Sequence, residues 1–214
     1  MLVADESLTA PVLREAGLAV IGVTMVEEVE QIRPPLIAAL ERVLGETRPD
    51  LPFRGAEAVR DTLGIPASRE VLTAYQREGA LGEGALADLA ARLGGRTRFA
   101  IFGRVEKTSE HFPPPPRRGQ IYYGGPIGSR TTSRDARVRL TLYDLARRRV
   151  VFEAVYASSS ENSLPDSIAR LPERRRTPPP GVDLGVAVDP RPGVPSLADA
   201  LIEGFRAFAA DLPR

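Results

Sequence analysis

The feature that most constrains the fold is an apolar run near the start of the chain, Leu18-Ala19-Val20-Ile21-Gly22-Val23-Thr24-Met25-Val26. It contains no charged residue and is rich in β-branched side chains. Runs of this kind are typical of strands covered on both faces, whereas a strand with one solvated face alternates apolar and polar residues. The run therefore predicts a central strand in a sheet that carries helices on both sides.

Helical patterns occupy much of the remaining chain. Pro34 and Pro35 suit the first turn of a helix that continues to Leu44, because proline at that position removes no needed hydrogen bond. Shorter helices are predicted at residues 55–63, 68–77 and 85–93. The clearest helix lies near the C-terminus, with an apolar stripe formed by Leu197, Leu201, Phe205, Phe208 and Leu212. We expect this final helix to dock on the core.

Further strands are predicted at residues 99–105, 137–142 and 150–157. The connection between the last two is so short that they must form an antiparallel hairpin. Residues 50–54 suit a short edge strand, because a proline removes one donor from the hydrogen-bond ladder. The fold class that follows is α/β: one domain over residues 1–214, with a mixed sheet of about five strands, helices on its faces, a C-terminal hairpin and a docking helix.

Two proline-rich segments, residues 109–134 and 161–195, fit no helix or strand pattern and are predicted to be long loops. Residues 1–16 are expected to form an N-terminal arm. Loops longer than about 12–15 residues are uncommon in compact domains and are usually functional or disordered. We therefore expect partner contacts in the first of these loops.

The composition argues against several kinds of chemistry. The chain has no cysteine, which excludes disulfides, thiolate metal ligands and thiol catalysis. His111 is the single histidine, so serine–histidine–aspartate and multi-histidine sites are excluded as well. With 29 basic and 28 acidic residues, the net charge of +1 gives no overall attraction to nucleic acid or to an anionic membrane. We expect no cofactor, no metal and no enzymatic activity.

One alternative is a hydrolase of the glycosidase type. Glu27, Glu28 and Glu30 follow the predicted central strand, and Asp144 would supply a second carboxylate. Acidic residues at such a junction are more often solvated or placed near a helix N-terminus.

A second alternative is a cytoplasmic module that binds anions or nucleic acid through the arginine clusters at residues 147–149 and 174–176. Aromatic and basic residues in the first loop and at the hairpin turn also suit a protein interface. The expected partner-binding residues are Arg117, Arg118, Tyr122, Tyr123, Arg147, Arg148 and Arg149.

The order of elements and the hairpin sequence from Leu142 to Val151 resemble the CsgG-like and TolB amino-terminal group of bacterial envelope proteins. Asp144 and Leu145 match an Asp-Leu step that is common in that group, and Val150 with Val151 matches a Val-Val pair. Three arginines replace the glycine-bearing turn of the group. The resemblance covers residues 7–160 and the final helix, and it implies a mixed sheet with helices on its faces.

The opening Glu6-Ser7-Leu8 resembles mature lipoproteins of this group, whose lipid-carrying cysteine precedes the domain and is absent from this chain. The resemblance implies a non-catalytic accessory or scaffold domain that binds another envelope or secretion component. The location would be periplasmic or tethered to the outer membrane if Met1 replaces an export signal, and cytoplasmic otherwise. We expect no nucleic acid, and membrane contact only through such an anchor; a homo-oligomer is left open.

Overall fold

The computed structural model describes residues 2–27, 33–95, 97–112, 131–163 and 192–214. The strands are β1 (Leu2–Ala4), β2 (Leu18–Met25), β3 (Phe53–Arg54), β4 (Phe99–His111), β5 (Thr131–Asp144) and β6 (Arg149–Ser163). The helices are α1 (Ala10–Ala16), α2 (Arg33–Thr47), α3 (Ala56–Leu63), α4 (Ile65–Glu78), α5 (Glu83–Leu93) and α6 (Leu197–Asp211).

The strands form one mixed sheet in the order β1-β6-β5-β4-β2-β3. Strand β2 runs parallel to β3 and β4, and the remaining pairs are antiparallel. This arrangement confirms the predicted mixed sheet, with β3 at one edge and the hairpin of β5 and β6. The strand that the sequence did not predict is β1, at the opposite edge.

Helices cover both faces of β2, as its apolar sequence predicts, and all eight of its residues are buried. On one face, Val20 and Ile101 join a core formed with α1, α2 and α6. On the other face, Ile21 and Phe102 pack against α3, α4 and α5. Tyr75 of α4 is fully buried there, and its hydroxyl lies 2.9 Å from Thr141 Oγ1 on β5.

The N-terminal 16 residues are not the predicted arm. They contain β1, which pairs with residues 152–154 of β6, and α1, whose Leu13 is fully buried. The pattern is too short to detect from sequence: β1 has only three residues and α1 only seven. Tertiary packing on a preformed sheet stabilises such short elements, rather than their own propensity.

The segments predicted as long loops are partly strand. Strand β4 continues to His111, β5 begins at Thr131, and β6 ends at Ser163. The prediction failed at these ends because their side chains are mostly polar, while backbone hydrogen bonds to the neighbouring strand maintain the extended conformation. Residue 112 and residues 192–195 are described and form neither helix nor strand, as predicted, whereas residues 113–130 and 164–191 of the predicted loops lie outside the described residues.

Candidate functional site

Strands β4, β5 and β6 extend past the point where β2 ends. The last pair between β2 and β4 is Met25 with Val105, whereas β4 pairs with β5 as far as His111 and Ser133. Strands β5 and β6 stay paired up to Thr131 and Ser163. We call residues 107–111, 131–137 and 157–163 the distal sheet.

One face of the distal sheet is covered by the chain itself. Thr132 Oγ1 donates a hydrogen bond of 2.9 Å to the carbonyl of Gly193, and Asn162 Nδ2 donates one of 2.7 Å to the same oxygen. Ser158 Oγ donates a hydrogen bond of 2.6 Å to the carbonyl of Ala200 in α6. The start of α6 and the residues before it therefore lie against this face.

The opposite face, which we call the open face, contains a shallow depression of about 440 Å³. Each of the three strands contributes residues two positions apart to the lining, because alternate residues of a strand point to the same face of the sheet. Lining residues include Lys107 and Ser109 of β4, Asp135 and Arg137 of β5, and Ala157 and Ser159 of β6. Small side chains on β6 leave room above the sheet for part of another molecule.

Charged side chains at the base of the open face form a network around Glu106. A bulge between Val105 and Lys107 interrupts the pairing of β4 with β5 at this residue. The Glu106 carboxylate lies 3.1 Å from Arg137 Nε and 2.7 Å from Arg139 Nη2. The hydrogen bond from Arg139 to Glu106 raises the pKa of that arginine, so its positive charge is fixed.

At the far end of the open face, His111 Nε2 lies 2.8 Å from the Asp135 carboxylate. Both side chains are more than half exposed, at 57% and 53%. Exposed pairs of this kind contribute little to stability. The pair is therefore available to an incoming partner at modest cost.

Two of the three arginines at the hairpin turn contact the N-terminal segment. Arg149 Nη2 lies 2.6 Å from the Asp5 carboxylate, and Arg147 donates a hydrogen bond to Ser7 Oγ. Hydrogen bonds from Ser7, with smaller contributions from Arg149 and Arg147, lower the pKa of Asp5. These arginines therefore hold the segment after β1 against the sheet. Arg148 has no partner among the described residues and is exposed.

The turn lies far from the ends of the first predicted loop. Residues 145–148 join β5 to β6 at one end of the sheet, whereas Thr131 begins β5 at the other end. A strand of 14 residues spans about 45 Å. Among the expected partner-binding residues, the structure thus places Arg147–Arg149 away from the distal sheet, and it does not describe Arg117, Arg118, Tyr122 and Tyr123.

The structure does not bring Glu27 and Asp144 together, as the hydrolase alternative would require. Glu27 follows the end of β2, whereas Asp144 pairs with Phe99 at the other end of β4, roughly 20 Å away. Glycosidases need their two carboxyl groups about 5–9.5 Å apart. Glu28 and Glu30 lie outside the described residues.

Asp144 has a structural role instead. Its carboxylate lies 2.6 Å from Arg98 Nη2 and accepts hydrogen bonds from the backbone N–H groups of Ala146 and Arg147. Burial alone would raise the pKa of Asp144, but the hydrogen bonds from Arg98 and from these N–H groups outweigh it, so the pKa is lowered.

Within the described part of the chain, no group of three or more histidine, aspartate or glutamate side chains is placed to hold a metal ion. None of the described helices is both long and apolar enough to cross a membrane.

Sequence reasoning missed the open face because its residues are far apart along the chain. The alternation of apolar and polar residues between 137 and 142 predicted a half-buried strand there. Following the same alternation back through Ala136 and Thr132, both buried, would have extended the strand to the distal sheet. The register that brings Lys107 beside Arg137 has no signal in the sequence.

The sequence matches no family model and no curated protein. Several solved structures are similar in their general arrangement. The lipoprotein GNA1162 from Neisseria meningitidis has 10% identity and a TM-score of 0.45, over 68% of this chain and 83% of that chain. The hypothetical protein CT253 from Chlamydia trachomatis has 14% identity and a TM-score of 0.42, over 67% and 72% of the two chains.

The C-terminal domain of LpoB from Salmonella enterica has 9% identity and a TM-score of 0.36, over 72% of this chain and 86% of that chain. The chain is similar to these three bacterial proteins, one of which is named as a lipoprotein. Identities and TM-scores this low assign the chain neither a family nor a function.

Proposed function

We propose that this chain is a non-catalytic accessory domain of the bacterial cell envelope that binds another envelope protein through the open face. The observation that carries the proposal is the distal sheet itself. Its three strands extend past the end of β2, one face is covered by the start of α6 and the residues before it, and the other face presents a depression lined by small and charged side chains.

The length of these strands supports a binding role. Strands β4, β5 and β6 have 13, 14 and 15 residues, whereas the mean strand has about 5–6. Ordering each extra residue costs about 1–2 kcal/mol of backbone entropy. The polar side chains of the open face return little of that free energy through burial, which favours a role for the distal sheet outside the core.

The outer edge of β6 gives a partner a second means of attachment. Strand β1 pairs with residues 152–154, so residues 156–163 have no strand on that side within the described chain. An extended segment of a partner can add to such an edge through backbone hydrogen bonds.

The segment at 113–130 belongs to the same proposal. It connects Phe112 with Thr131, so both of its ends emerge at the distal sheet. Arg117, Arg118, Tyr122 and Tyr123 would extend the binding surface from there. The envelope location rests on the resemblance of the hairpin from Asp144 to Val151 to CsgG-like and TolB amino-terminal proteins.

The proposal is tested by filling the depression. Ala157 is exposed on the open face and Ala207 is exposed on α6, so Ala157→Trp and Ala207→Trp form a matched pair. Each purified variant is immobilised and incubated with detergent-solubilised envelope proteins of the host cell, and retained proteins are quantified by mass spectrometry.

We expect one protein to be retained by the unmodified chain and by Ala207→Trp but lost with Ala157→Trp, because the indole occupies its binding surface. Equal retention by both variants would refute the open face as the binding surface. Circular dichroism of each variant establishes that the fold is intact.

A further inference from the structure

Cations face each other across β4 and β5 at the base of the open face. Arg104 pairs with Arg139, and Lys107 pairs with Arg137. Like charges that lie directly opposite on neighbouring strands are destabilising. Anionic groups among the four cations would offset that cost.

Of these four cations, the acidic residues of the described sheet form ion pairs only with the two that lie on β5. Glu106 forms ion pairs with Arg137 and Arg139, and Glu153 lies 2.7 Å from Arg139 Nη1. Both glutamates are thus engaged with β5. On β4, neither Arg104 nor Lys107 has an ion-pair partner among the described residues.

Arg104 is unusual because it is half-buried and yet unpaired. Its Nε is buried and has no hydrogen-bond partner among the described residues. The guanidinium lies against Gly79 at the C-terminal end of α4, where an added Cβ would be 2.6 Å from Nη1. The helix end favours a positive charge there. A buried charged donor left without a partner costs free energy, which a carboxylate would recover.

We propose that Arg104 and Lys107 bind carboxylate side chains of an acidic segment of the partner protein. This inference rests on the proposed function and adds the chemistry of the partner. An arginine fork receives a carboxylate through two parallel hydrogen bonds, and the exposed Lys107 lines the depression where the segment would continue.

The surrounding charges favour an acidic peptide over a polyanion. Glu106, Glu153 and Asp135 lie among the cations and would repel the dense charge of a nucleic acid or an anionic membrane. A peptide with separated carboxylates can place each of them on one unpaired cation. The small side chains of Ser109, Ala157 and Ser159 leave space for its backbone.

The test is a titration of the ¹⁵N-labelled chain with a blocked peptide, Gly-Ser-Glu-Ser-Glu-Ser-Gly, and with its glutamine analogue. We expect the acidic peptide to shift the Arg104 Nε–H resonance and the Lys107 amide resonance saturably. The analogue should bind about tenfold more weakly, because it lacks charge-assisted hydrogen bonds. A saturable shift with inorganic phosphate or with phosphatidylglycerol vesicles, but not with the acidic peptide, would overturn the proposal, as would no shift or equal binding of the analogue.

Two variants and one control assign the effect to these residues. Arg104→Gln and Lys107→Gln should each weaken peptide binding about tenfold, whereas Arg42→Gln on the exposed surface of α2 should not. Arg104→Gln should change Tm little, because the variant removes both a like-charge pair and the favourable contact with the end of α4. A much lower Tm with unchanged peptide binding would assign Arg104 a structural role. Lys107 is exposed, so its variant carries the test if the Arg104 variant does not fold.

Retention of the envelope protein separates the two proposals. If Ala157→Trp loses the protein while Arg104→Gln and Lys107→Gln retain it, the open face binds but the acidic segment is wrong. If Ala157→Trp also retains it, the proposed function itself fails.

Discussion

Arg148 occupies a backbone conformation that its side chain disfavours. Its φ is 54°, in the left-handed region, and it is the only residue other than glycine with a positive φ in the described chain. The resemblance to envelope proteins identified this turn as one where glycine is common. The neighbouring Arg147 and Arg149 contact Ser7 and Asp5. These contacts stabilise the conformation of the turn although the backbone of Arg148 is strained.

We predict that Arg148→Gly stabilises the domain. Glycine adopts a positive φ without steric cost, so the substitution relieves the strain of the folded turn. The greater conformational entropy of glycine in the unfolded chain offsets part of that relief, which leaves a net stabilisation of about 0.5–1 kcal/mol. The free energy of unfolding is measured by urea titration, with Arg148→Ala as the control that removes the side chain but keeps the strain. Equal values for the glycine and alanine variants would contradict the backbone explanation.

Asp144 is a second residue whose position in the fold determines its role, which is structural. Its side chain is 1% exposed and bound to Arg98, so it acts as the anchor of the hairpin turn. We predict that Asp144→Asn lowers the free energy of unfolding by about 2–3 kcal/mol at pH 7, because the partly exposed Arg98 loses its charge-assisted hydrogen bonds.

The pH dependence of that loss has a defined direction. Because the pKa of Asp144 is lowered in the folded state, its stabilisation is complete above the ordinary value of 3.8 and is lost as the pH falls through the folded pKa. The difference between Asp144→Asn and the unmodified chain should therefore shrink in acid. Asp61→Asn, at an exposed position of α3, should show no loss at any pH.

At the scale of elements, Arg48 connects α2 to the end of α6. The side chain is 3% exposed and donates hydrogen bonds to the carbonyls of Leu212 at 2.9 Å and Pro213 at 2.8 Å. A basic residue just after a helix would ordinarily be expected to face solvent. Its burial follows from the docking of α6, which leaves carbonyls at its C-terminal end without partners in the helix.

We predict that Arg48→Gln lowers the free energy of unfolding by about 3 kcal/mol, because a buried carbonyl cluster loses its charged donor. Arg42→Gln, on the exposed face of α2, should change it by less than about 0.5 kcal/mol. Chemical denaturation followed by circular dichroism gives both values. A loss of similar size in the two variants would contradict the role of Arg48 as the charged donor to these carbonyls.

Helices and strands whose apolar residues recur at regular spacing could be predicted from the sequence, and those without such spacing could not. Strand β2, the hairpin and α6 could be predicted because their buried faces require apolar residues at a fixed spacing along the sequence. The distal ends of β4 and β6 carry serine, threonine and charged residues on both faces, and backbone pairing with polar side-chain contacts maintains them in place of apolar burial. Periodicity cannot detect strands of that kind.

At the scale of the whole molecule, the sheet combines a core that is covered on both faces with a distal part that is covered on one. The sequence predicted the first part. It could not predict which surface stays open, because the open face combines residues that are up to 52 positions apart, from Lys107 to Ser159 (159 − 107 = 52). Only the register of three strands brings them together.

The distal sheet should be stable without the segment that connects β4 to β5. His111 and Ser133 are already paired, so a two-residue turn of asparagine and glycine that replaces residues 113–131 joins Phe112 to Thr132 and keeps that register. We predict that this replacement leaves Tm unchanged in a thermal melt. A large drop in Tm would show that the segment contributes to the fold and would complicate its assignment to partner binding.

The most direct test of the central claim is site-specific photocrosslinking in the host cell. The photoreactive p-benzoylphenylalanine replaces Ser159 on the open face or, as the control, the exposed Ala207 on α6. We predict an ultraviolet-dependent adduct with one envelope protein from position 159 and none from position 207. No adduct at position 159, or the same adduct at both positions, would contradict binding through the open face.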